Sequence, residues 1–139
     1  MKFLKPLKLM RNYNFMSQKF RLDKSGYINR EKRISFKFNG KKYFGYQGDT
    51  LASALLANGV HLVGRSFKYH RPRGFLGVNV EEPNAQVQLY SGAKTEPNAI
   101  ATTIELVEGL TAKSQNCWPS VSFDLGSINN FLSKFFPAG

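Results

Sequence analysis

An Asn-Gly dipeptide between two strand-like segments narrows the choice of fold more than any other feature of this sequence. Residues 34–38 (Ile-Ser-Phe-Lys-Phe) alternate apolar and polar side chains, which is the period of a half-buried strand. Asn39-Gly40 follows, and this pair favours a type I′ turn because both central positions of that turn need a positive φ. Residues 41–46 then form the return strand, and their lysines suit a solvent-facing edge. The sequence therefore predicts a β-hairpin.

A short helix is predicted directly after the hairpin. Asp49 or Thr50 can cap the free N–H groups of the first turn. Residues 51–57 (Leu-Ala-Ser-Ala-Leu-Leu-Ala) place apolar side chains at i, i+3 and i+4, so this face should pack on the hairpin. Asn58-Gly59 is expected to end the helix with a left-handed residue. A helix of about two turns is not stable alone, so packing must hold it.

The rest of the chain predicts two further strands and one short helix. A sheet packed against one helix is the stable way to bury the order hairpin, helix, long loop, strand, strand. This order predicts an α+β fold, the β-grasp arrangement of ubiquitin-like and plant-type (2Fe-2S) ferredoxin domains. The expected segments are an irregular loop at 65–82, a strand at 85–90, turns at 91–92 and 96–98, a final strand at 102–107 and a helix within 124–136.

The excess positive charge lies at one end of the chain. The net charge is +11, and residues 1–42 contain thirteen Lys and Arg against two acidic residues, whereas residues 43–139 contain seven of each sign. A nucleic-acid-binding domain usually spreads its basic residues over a folded face. A basic end on a neutral body is more typical of a solvated tail and a charged edge strand. We therefore predict a disordered extension over residues 1–19, with Met16 as an alternative start to Met1.

Cysteine usage and hydropathy limit the setting of the protein. The single cysteine, Cys117, excludes an internal disulfide framework and fits a reducing compartment, so a cytoplasmic location is expected. A run of about 18 apolar residues is absent from the sequence, which predicts no transmembrane helix. A length of 139 residues suits one ordinary domain. We predict the β-grasp domain at residues 20–110 and a connecting segment at 111–139.

Two longer stretches and several shorter ones form an ordered series of motifs. The longer stretches are residues 48–60 (GDTLASALLANGV) and residues 63–74 (VGRSFKYHRPRG), of which the second is the more diagnostic. Both resemble the start of the large (α) subunits of heterotetrameric sarcosine oxidases. The resemblance runs from about residue 20 to the end of the chain. Shorter matches are EEPNA at 81–85, ATT at 101–103, SQN at 114–116, WPS at 118–120 and FFPAG at 135–139.

The resemblance implies a role inside a larger complex. In that family the α subunit continues into a dinucleotide-binding domain that carries NAD and a folate-binding domain, while the β subunit carries FAD and, at its interface with α, FMN. The complex demethylates sarcosine to glycine, reduces oxygen to hydrogen peroxide and passes the one-carbon unit to tetrahydrofolate. The expected partners are therefore the remaining α domains and the β, γ and δ subunits, and neither nucleic acid nor a membrane.

This chain would be an incomplete N-terminal fragment or a separately encoded piece of such a subunit. A G-x-G-x-x-G fingerprint is absent, so NAD has no expected site here, and residues 111–139 would lead toward the dinucleotide-binding domain. Phe131, Phe135 and Phe136 are expected to pack on that absent part. We predict no catalytic residue and no activity for the chain alone. The alternatives are a stand-alone ubiquitin-like interaction module and a basic nucleic-acid-binding domain.

The resemblance also raises the question of an iron–sulfur cluster. Related β-grasp modules hold a [2Fe–2S] cluster with cysteines in the loop after the helix. Such a cluster needs four thiolates, or two thiolates with two imidazoles, and residues 65–80 contain no cysteine. We therefore expect no iron–sulfur cluster and no other cofactor in this chain. No metal site is expected either, because His61 and His70 are too few for structural zinc.

A basic loop after the helix, residues 65–73, is the main candidate for a binding site. Phe67 and Tyr69 lie between its cations, and arginine can grip phosphate in a bidentate manner. The loop could dock on an acidic face of a neighbouring domain or subunit, contact a cofactor phosphate, resemble a single-strand nucleic-acid groove, or be a plain solvated loop. Its five candidate residues are Arg65, Lys68, His70, Arg71 and Arg73.

Overall fold

The computed structural model describes residues 18–24, 26–91 and 93–135. The predicted extension over residues 1–19 lies almost entirely outside the described residues, as do both candidate starts and Phe136. The elements are β1 (Asn29–Phe38), β2 (Lys41–Gln47), α1 (Leu51–Ala57), β3 (Gly64–Arg65), β4 (Pro72–Arg73), β5 (Gln86–Ser91), β6 (Lys94–Ile100), β7 (Thr111–Ser114) and α2 (Ile128–Leu132), with 3₁₀ turns at Asn79–Glu81 and Leu125–Ser127.

The predicted hairpin is confirmed. Strands β1 and β2 pair antiparallel, with Phe36 opposite Tyr43 and Phe38 opposite Lys41. Asn39 has a φ of 52° and Gly40 a φ of 78°, as a type I′ turn requires. The local sequence therefore sets both the turn and the register of this hairpin.

Helix α1 begins and ends at the predicted residues. Its N-cap is Thr50, whose Oγ1 accepts the Ser53 N–H (3.2 Å), while Ser53 Oγ accepts the Thr50 N–H (3.0 Å). This reciprocal pair is a capping box that satisfies two backbone donors of the first turn. Gly59 follows the helix with a φ of 78°, the left-handed conformation expected there.

The five-stranded sheet has the order β2-β1-β7-β5-β6. Strands β1 and β7 are parallel, and the other neighbours are antiparallel. Helix α1 packs on this sheet and completes an α+β, β-grasp fold, which confirms the predicted fold class. The buried core comprises Ile34, Phe36, Phe38, Leu51, Ala52, Ala54, Leu55, Val63, Ala85, Val87, Ala101, Leu106 and Ala112.

The final strand of the sheet is not where the sequence pattern suggested. Residues 102–107 form a turn and an extended segment, and the last strand is β7, at the centre of the sheet. Nearby carbonyl groups accept N–H groups from the first turn of α1: Ile104 O accepts from Leu51 (2.8 Å) and Ala101 O from Ala52 (3.0 Å). The segment is extended because it caps the helix, which has unpaired N–H groups there.

Two other local predictions were wrong. Residues 96–98 were expected as a turn but lie in edge strand β6. The strand is irregular there, because Asn98 has a φ of 58° and the pairing with β5 shifts register between Val87 and Leu89. An edge strand tolerates Pro97 because its missing N–H need not pair. The loop expected at 65–82 contains a small β-ribbon of β3 and β4.

Among the described residues, no helix is long and apolar enough to cross a membrane.

Candidate functional site

The basic loop is folded back on itself between β3 and β4. Ser66 O accepts the His70 N–H (3.0 Å), and the Ser66 N–H donates to Arg71 O (3.0 Å). Ser66 Oγ accepts the Arg71 N–H (3.0 Å), so one serine closes the loop from both sides. His70 has a φ of 52°, which turns the chain toward β4. The five candidate cations consequently point into different environments.

Two of the five candidates contact a buried carboxylate that lies more than 50 residues later in the sequence. The Asp124 side chain is fully buried; its Oδ2 lies 2.7 Å from His70 Nδ1 and 3.6 Å from Arg65 Nε. Arg65 also donates to the carbonyl oxygens of Val121 (2.9 Å) and His70 (2.8 Å). The group of Arg65, His70 and Asp124, called the Asp124 cluster below, therefore joins the basic loop to the segment after residue 117.

The Asp124 carboxylate is stabilised in its charged form. Burial raises its pKa, but hydrogen bonds donated by the Trp118 N–H, by His70 and by the Gly126 N–H outweigh burial and hold the pKa below its usual value. The two backbone donors lie 2.8 Å and 3.2 Å from Asp124 Oδ1. An ionised carboxylate only accepts hydrogen bonds, so His70 must donate from Nδ1. Gly126 lies against the His70 ring, where a Cβ would come within 2.7 Å of Nε2.

The other three candidates lie outside this cluster. Lys68 Nζ and Arg71 Cζ are 5.4 Å and 5.1 Å from the centre of the Tyr69 ring, and both cations are exposed. Arg71 Nε also donates to Asn130 Oδ1 in α2 (3.2 Å). Arg73 is half-buried and donates to Asn84 Oδ1 (2.5 Å). The structure therefore brings only Arg65 and His70 together around a shared acidic group.

A polar cleft of about 370 Å³ lies beside the ribbon. Arg65 and Arg73 are among its lining residues, and Gln115 Oε1 is a buried atom with no hydrogen-bond partner among the described residues. Guanidinium and amide groups can bind a small anion by charge-assisted hydrogen bonds. Its amide lining consists of Asn84, Gln86, Asn98, Gln115 and Asn116.

Sequence reasoning missed Asp124 and Glu82, the two carboxylates that organise the loops. Glu82 is 2% exposed and accepts four backbone N–H groups, from residues 76 and 77 (both 2.6 Å), 84 (2.8 Å) and 85 (3.1 Å). Burial raises its pKa, but these donors outweigh burial and lower it. Asp124 is followed two residues later by Gly126, which is a weak turn signal, and nothing in the sequence links it to a histidine 54 positions earlier.

The comparisons with known proteins agree with one another. The family model described as "2Fe-2S iron-sulfur cluster binding domain" matches residues 31–117. "Sarcosine oxidase subunit alpha" of Rhizobium meliloti (strain 1021) is 57% identical over 120 residues, covering 86% of this chain and 12% of the relative. The protein of the same name from Corynebacterium sp. (strain U-96) is 38% identical over 88 residues, covering 61% of this chain and 9% of the relative. The chain thus spans about an eighth or less of these relatives.

One solved structure is also similar, the crystal structure of L-proline dehydrogenase from P.horikoshii. It shares 25% sequence identity with this chain. The match covers 66% of this chain and 17% of that chain, with a TM-score of 0.49.

The expectation of no iron–sulfur cluster is corrected by these findings. The matching family is a 2Fe-2S cluster binding domain, so a cluster belongs to the chemistry of this fold family. The residues of this chain do not fit the usual ligand set, because a [2Fe–2S] cluster takes four cysteines, or two with two histidines, and the sequence has one cysteine. Among the described residues, no group of three or more His, Cys, Asp and Glu side chains could hold a metal ion. Burial raises the pKa of the Cys117 thiol, which disfavours the thiolate that binds iron.

The resemblance read from the ordered motifs is confirmed by the names of the curated relatives. The family match from residue 31 to residue 117 contains α1 and nearly all of the five-stranded sheet, and the sheet order is that of a β-grasp fold. The chain therefore belongs to the 2Fe-2S iron–sulfur cluster binding domain family, and it matches the N-terminal module of sarcosine oxidase subunit alpha.

Proposed function

We propose that this chain serves as the N-terminal structural module of a sarcosine oxidase alpha subunit and contributes no catalytic residue to the reaction. The observation that carries the proposal is the 57% identity over 120 residues with a protein named for that subunit. The complete enzyme would demethylate sarcosine oxidatively to glycine with oxygen and tetrahydrofolate, giving hydrogen peroxide and a one-carbon folate. Its other alpha domains and its beta, gamma and delta subunits would be the partners, and the cytoplasm the location.

The contacts of the basic loop support a structural role. Arg65 and His70 are engaged by the buried Asp124 carboxylate, so both side chains make their polar contacts within the fold. Lys68 and Arg71 are exposed beside Tyr69, on the outside of the loop. Internal ion pairs position the loop, and the two outward cations are available for contact with a neighbouring domain.

The domain boundaries are part of this proposal. The predicted boundary at residue 110 stays a prediction, and the position of β7 (Thr111–Ser114) at the centre of the sheet favours a boundary after Cys117, where the family match also ends. At the other end, Gln18 Nε2 donates to Phe44 O (2.6 Å) and the Phe20 N–H donates to Ala57 O (3.2 Å). We propose that the β-grasp body includes residues 18–117.

A chimeric oxidase tests the proposal. The aligned stretch of the Rhizobium meliloti alpha subunit is replaced by this full chain, and the chimera is expressed with its partner subunits. We expect an assembled enzyme that forms hydrogen peroxide in the presence of sarcosine. A chimera that carries Lys68→Ala and Arg71→Ala should keep its KM for sarcosine, since neither cation would contact substrate in a structural module. Failure of the unsubstituted chimera to assemble, or a large rise in KM in the variant, would contradict the proposal.

A further inference from the structure

We propose that residues 118–135 and the outer side of the basic loop form one docking face for the rest of the alpha subunit. The inference rests on the proposed function and names the surface by which the module is held. The docking face is defined by Trp118, Phe123, Ile128, Phe131, Lys68 and Arg71. Its partner is a surface of the same subunit that is apolar at its centre and acidic at its border.

The apolar part of the face is exposed in this chain. Trp118 is 69% exposed, Phe123 66% and Phe131 61%, and α2 buries none of its residues. A five-residue helix gains too little from its own hydrogen bonds to be stable in water. Exposed apolar groups concentrated in one short segment are typical of an interaction surface. Helix α2 therefore needs a partner to cover it.

The position of this segment indicates what covers it. The family match ends at residue 117, and the β-grasp body up to that residue buries its core with its own side chains. The docking segment follows directly after it. The matched part makes up 12% of the Rhizobium meliloti relative, so most of that subunit lies outside the matched part. The nearest polypeptide of suitable size is thus the remainder of the subunit.

The charges beside the apolar centre indicate the chemistry of the partner. Arg71 Nε donates to Asn130 Oδ1 in α2 (3.2 Å), which places the loop against the helix. Lys68 and Arg71 both lie beside the Tyr69 ring, at the border of the face. Asp124, which could cancel these charges, is fully buried and already paired. A partner surface with acidic groups at its border therefore complements the face.

The Asp124 cluster makes the two parts a single face. Asp124 accepts the Trp118 N–H within the segment and binds His70 from the loop. Arg65 adds a second link, because it donates to Val121 O. The loop and the part of the segment from Trp118 to Asp124 are thereby held in one relative position before any partner binds. Such preorganisation lowers the entropy cost of docking.

Hydrogen exchange compares the face in two proteins, the full chain alone and the Rhizobium meliloti chimera described above. We expect amides of α2 to exchange at least about tenfold more slowly in the chimera, because docking suppresses local opening. Amides of edge strand β6, which lies outside the docking face, should change little. Equal exchange rates for α2 in the two proteins would overturn the proposal.

Substitutions test whether protection of α2 depends on this face in particular or on any exposed apolar residue. In the chimera, Phe131→Ser should restore fast amide exchange in α2. The double substitution Lys68→Glu with Arg71→Glu should also speed exchange in α2, and by more at low salt than at high salt, because salt screens charge repulsion. The matched control is Val107→Ser, because Val107 is 51% exposed outside the face. An equal effect of the control, or no effect of Phe131→Ser, would contradict the assignment.

Sedimentation of the chain alone tests whether a second copy of the chain occupies the docking face. A stable dimer that dissociates on Phe131→Ser would overturn the proposal.

The outcomes distinguish this inference from the function on which it rests. An active chimera in which α2 stays exposed would refute the docking face and leave the structural-module proposal intact. A chimera that never assembles would refute both proposals. An active chimera with α2 protected only in the unsubstituted and Val107→Ser forms is the result that we expect.

Discussion

Asp124 and Glu82 are the residues on which the loops of this module depend. Each is a buried carboxylate that accepts backbone N–H groups from its own loop. A loop has few backbone partners of its own, so a carboxylate with several acceptor positions can satisfy donors that would otherwise be buried and unpaired. These two side chains therefore satisfy the backbone N–H groups of the loops, as hydrogen bonds between strands do in the sheet.

Gly126→Ala should disrupt the Asp124 cluster. The new Cβ would lie within 2.7 Å of His70 Nε2, so the ring must shift, and its hydrogen bond to Asp124 would be disturbed. We expect a loss of roughly 1–3 kcal/mol in the free energy of unfolding, measured by urea denaturation. In a His70→Ala background the ring is gone, and Gly126→Ala should then cost much less. Equal costs in the two backgrounds would contradict the contact.

Glu82→Gln should destabilise the protein, while Glu81→Gln should not. The neutral amide can accept at only one oxygen, so at least one of the four N–H groups that Glu82 binds would lose its acceptor. An unsatisfied buried donor costs about 1–3 kcal/mol. Glu81 is exposed and serves as the adjacent control. Thermal unfolding of the two variants at neutral pH gives the comparison, and equal melting temperatures would refute the role of Glu82.

Acid should destabilise the fold through the same two carboxylates. Both pKa values are lower in the folded protein than in ordinary peptides, since hydrogen bonds favour the charged forms. Their stabilising effect is fully present above the unfolded-state pKa values of about 3.9 for Asp and 4.3 for Glu, and it is lost as the pH falls through the folded values. The free energy of unfolding should therefore fall below about pH 4. In Glu82→Gln the loss of free energy of unfolding below about pH 4 should be smaller, because one of the two carboxylates is gone. Urea denaturation at a series of pH values measures it, and the same loss in the variant and the unsubstituted protein would contradict the prediction.

At the scale of elements, the sequence predicted those parts that local signals specify. The Asn-Gly turn, the period-two strand before it and the capped helix were right because propensity and pattern act within a few residues. The strand expected at 102–107 was wrong because its backbone groups pair with the first turn of α1, a contact about 50 residues away in sequence. Likewise, the Asp124 cluster joins the basic loop to a segment more than 50 residues later in the sequence, and no local pattern carries that information.

Two adjacent leucines in α1 test whether packing holds the helix. Leu55 is fully buried, whereas Leu56 is 37% exposed. Leu55→Ala should cost about 2–5 kcal/mol in the free energy of unfolding, because it removes buried methyl groups and leaves a cavity. Leu56→Ala has the same helix propensity change and should cost much less. Chemical denaturation monitored by circular dichroism compares them, and similar losses would mean that propensity, not packing, stabilises α1.

At the scale of the whole molecule, the first described segment is attached to the core by an ion pair. Arg21 binds Asp49 in a bidentate manner, with Nη1–Oδ1 at 3.1 Å and Nη2–Oδ2 at 2.6 Å. The Asp49 side chain is 1% exposed, and it also accepts the Tyr46 N–H and the Ser53 hydroxyl. Asp49 therefore links the N-terminal segment, β2 and α1 at one point.

Arg21→Gln should loosen this link and lower the stability of the whole domain. The substitution leaves a buried carboxylate with the Tyr46 N–H and the Ser53 hydroxyl but without its cation, and we expect a cost of about 1–3 kcal/mol. Lys24→Gln removes one positive charge from an exposed position three residues later and should leave stability nearly unchanged. Urea denaturation measures both. Adding Asp49→Asn to Arg21→Gln should recover part of the loss, because the double variant no longer buries an unpaired charge; a further additive loss would show that the pair does not act as a unit.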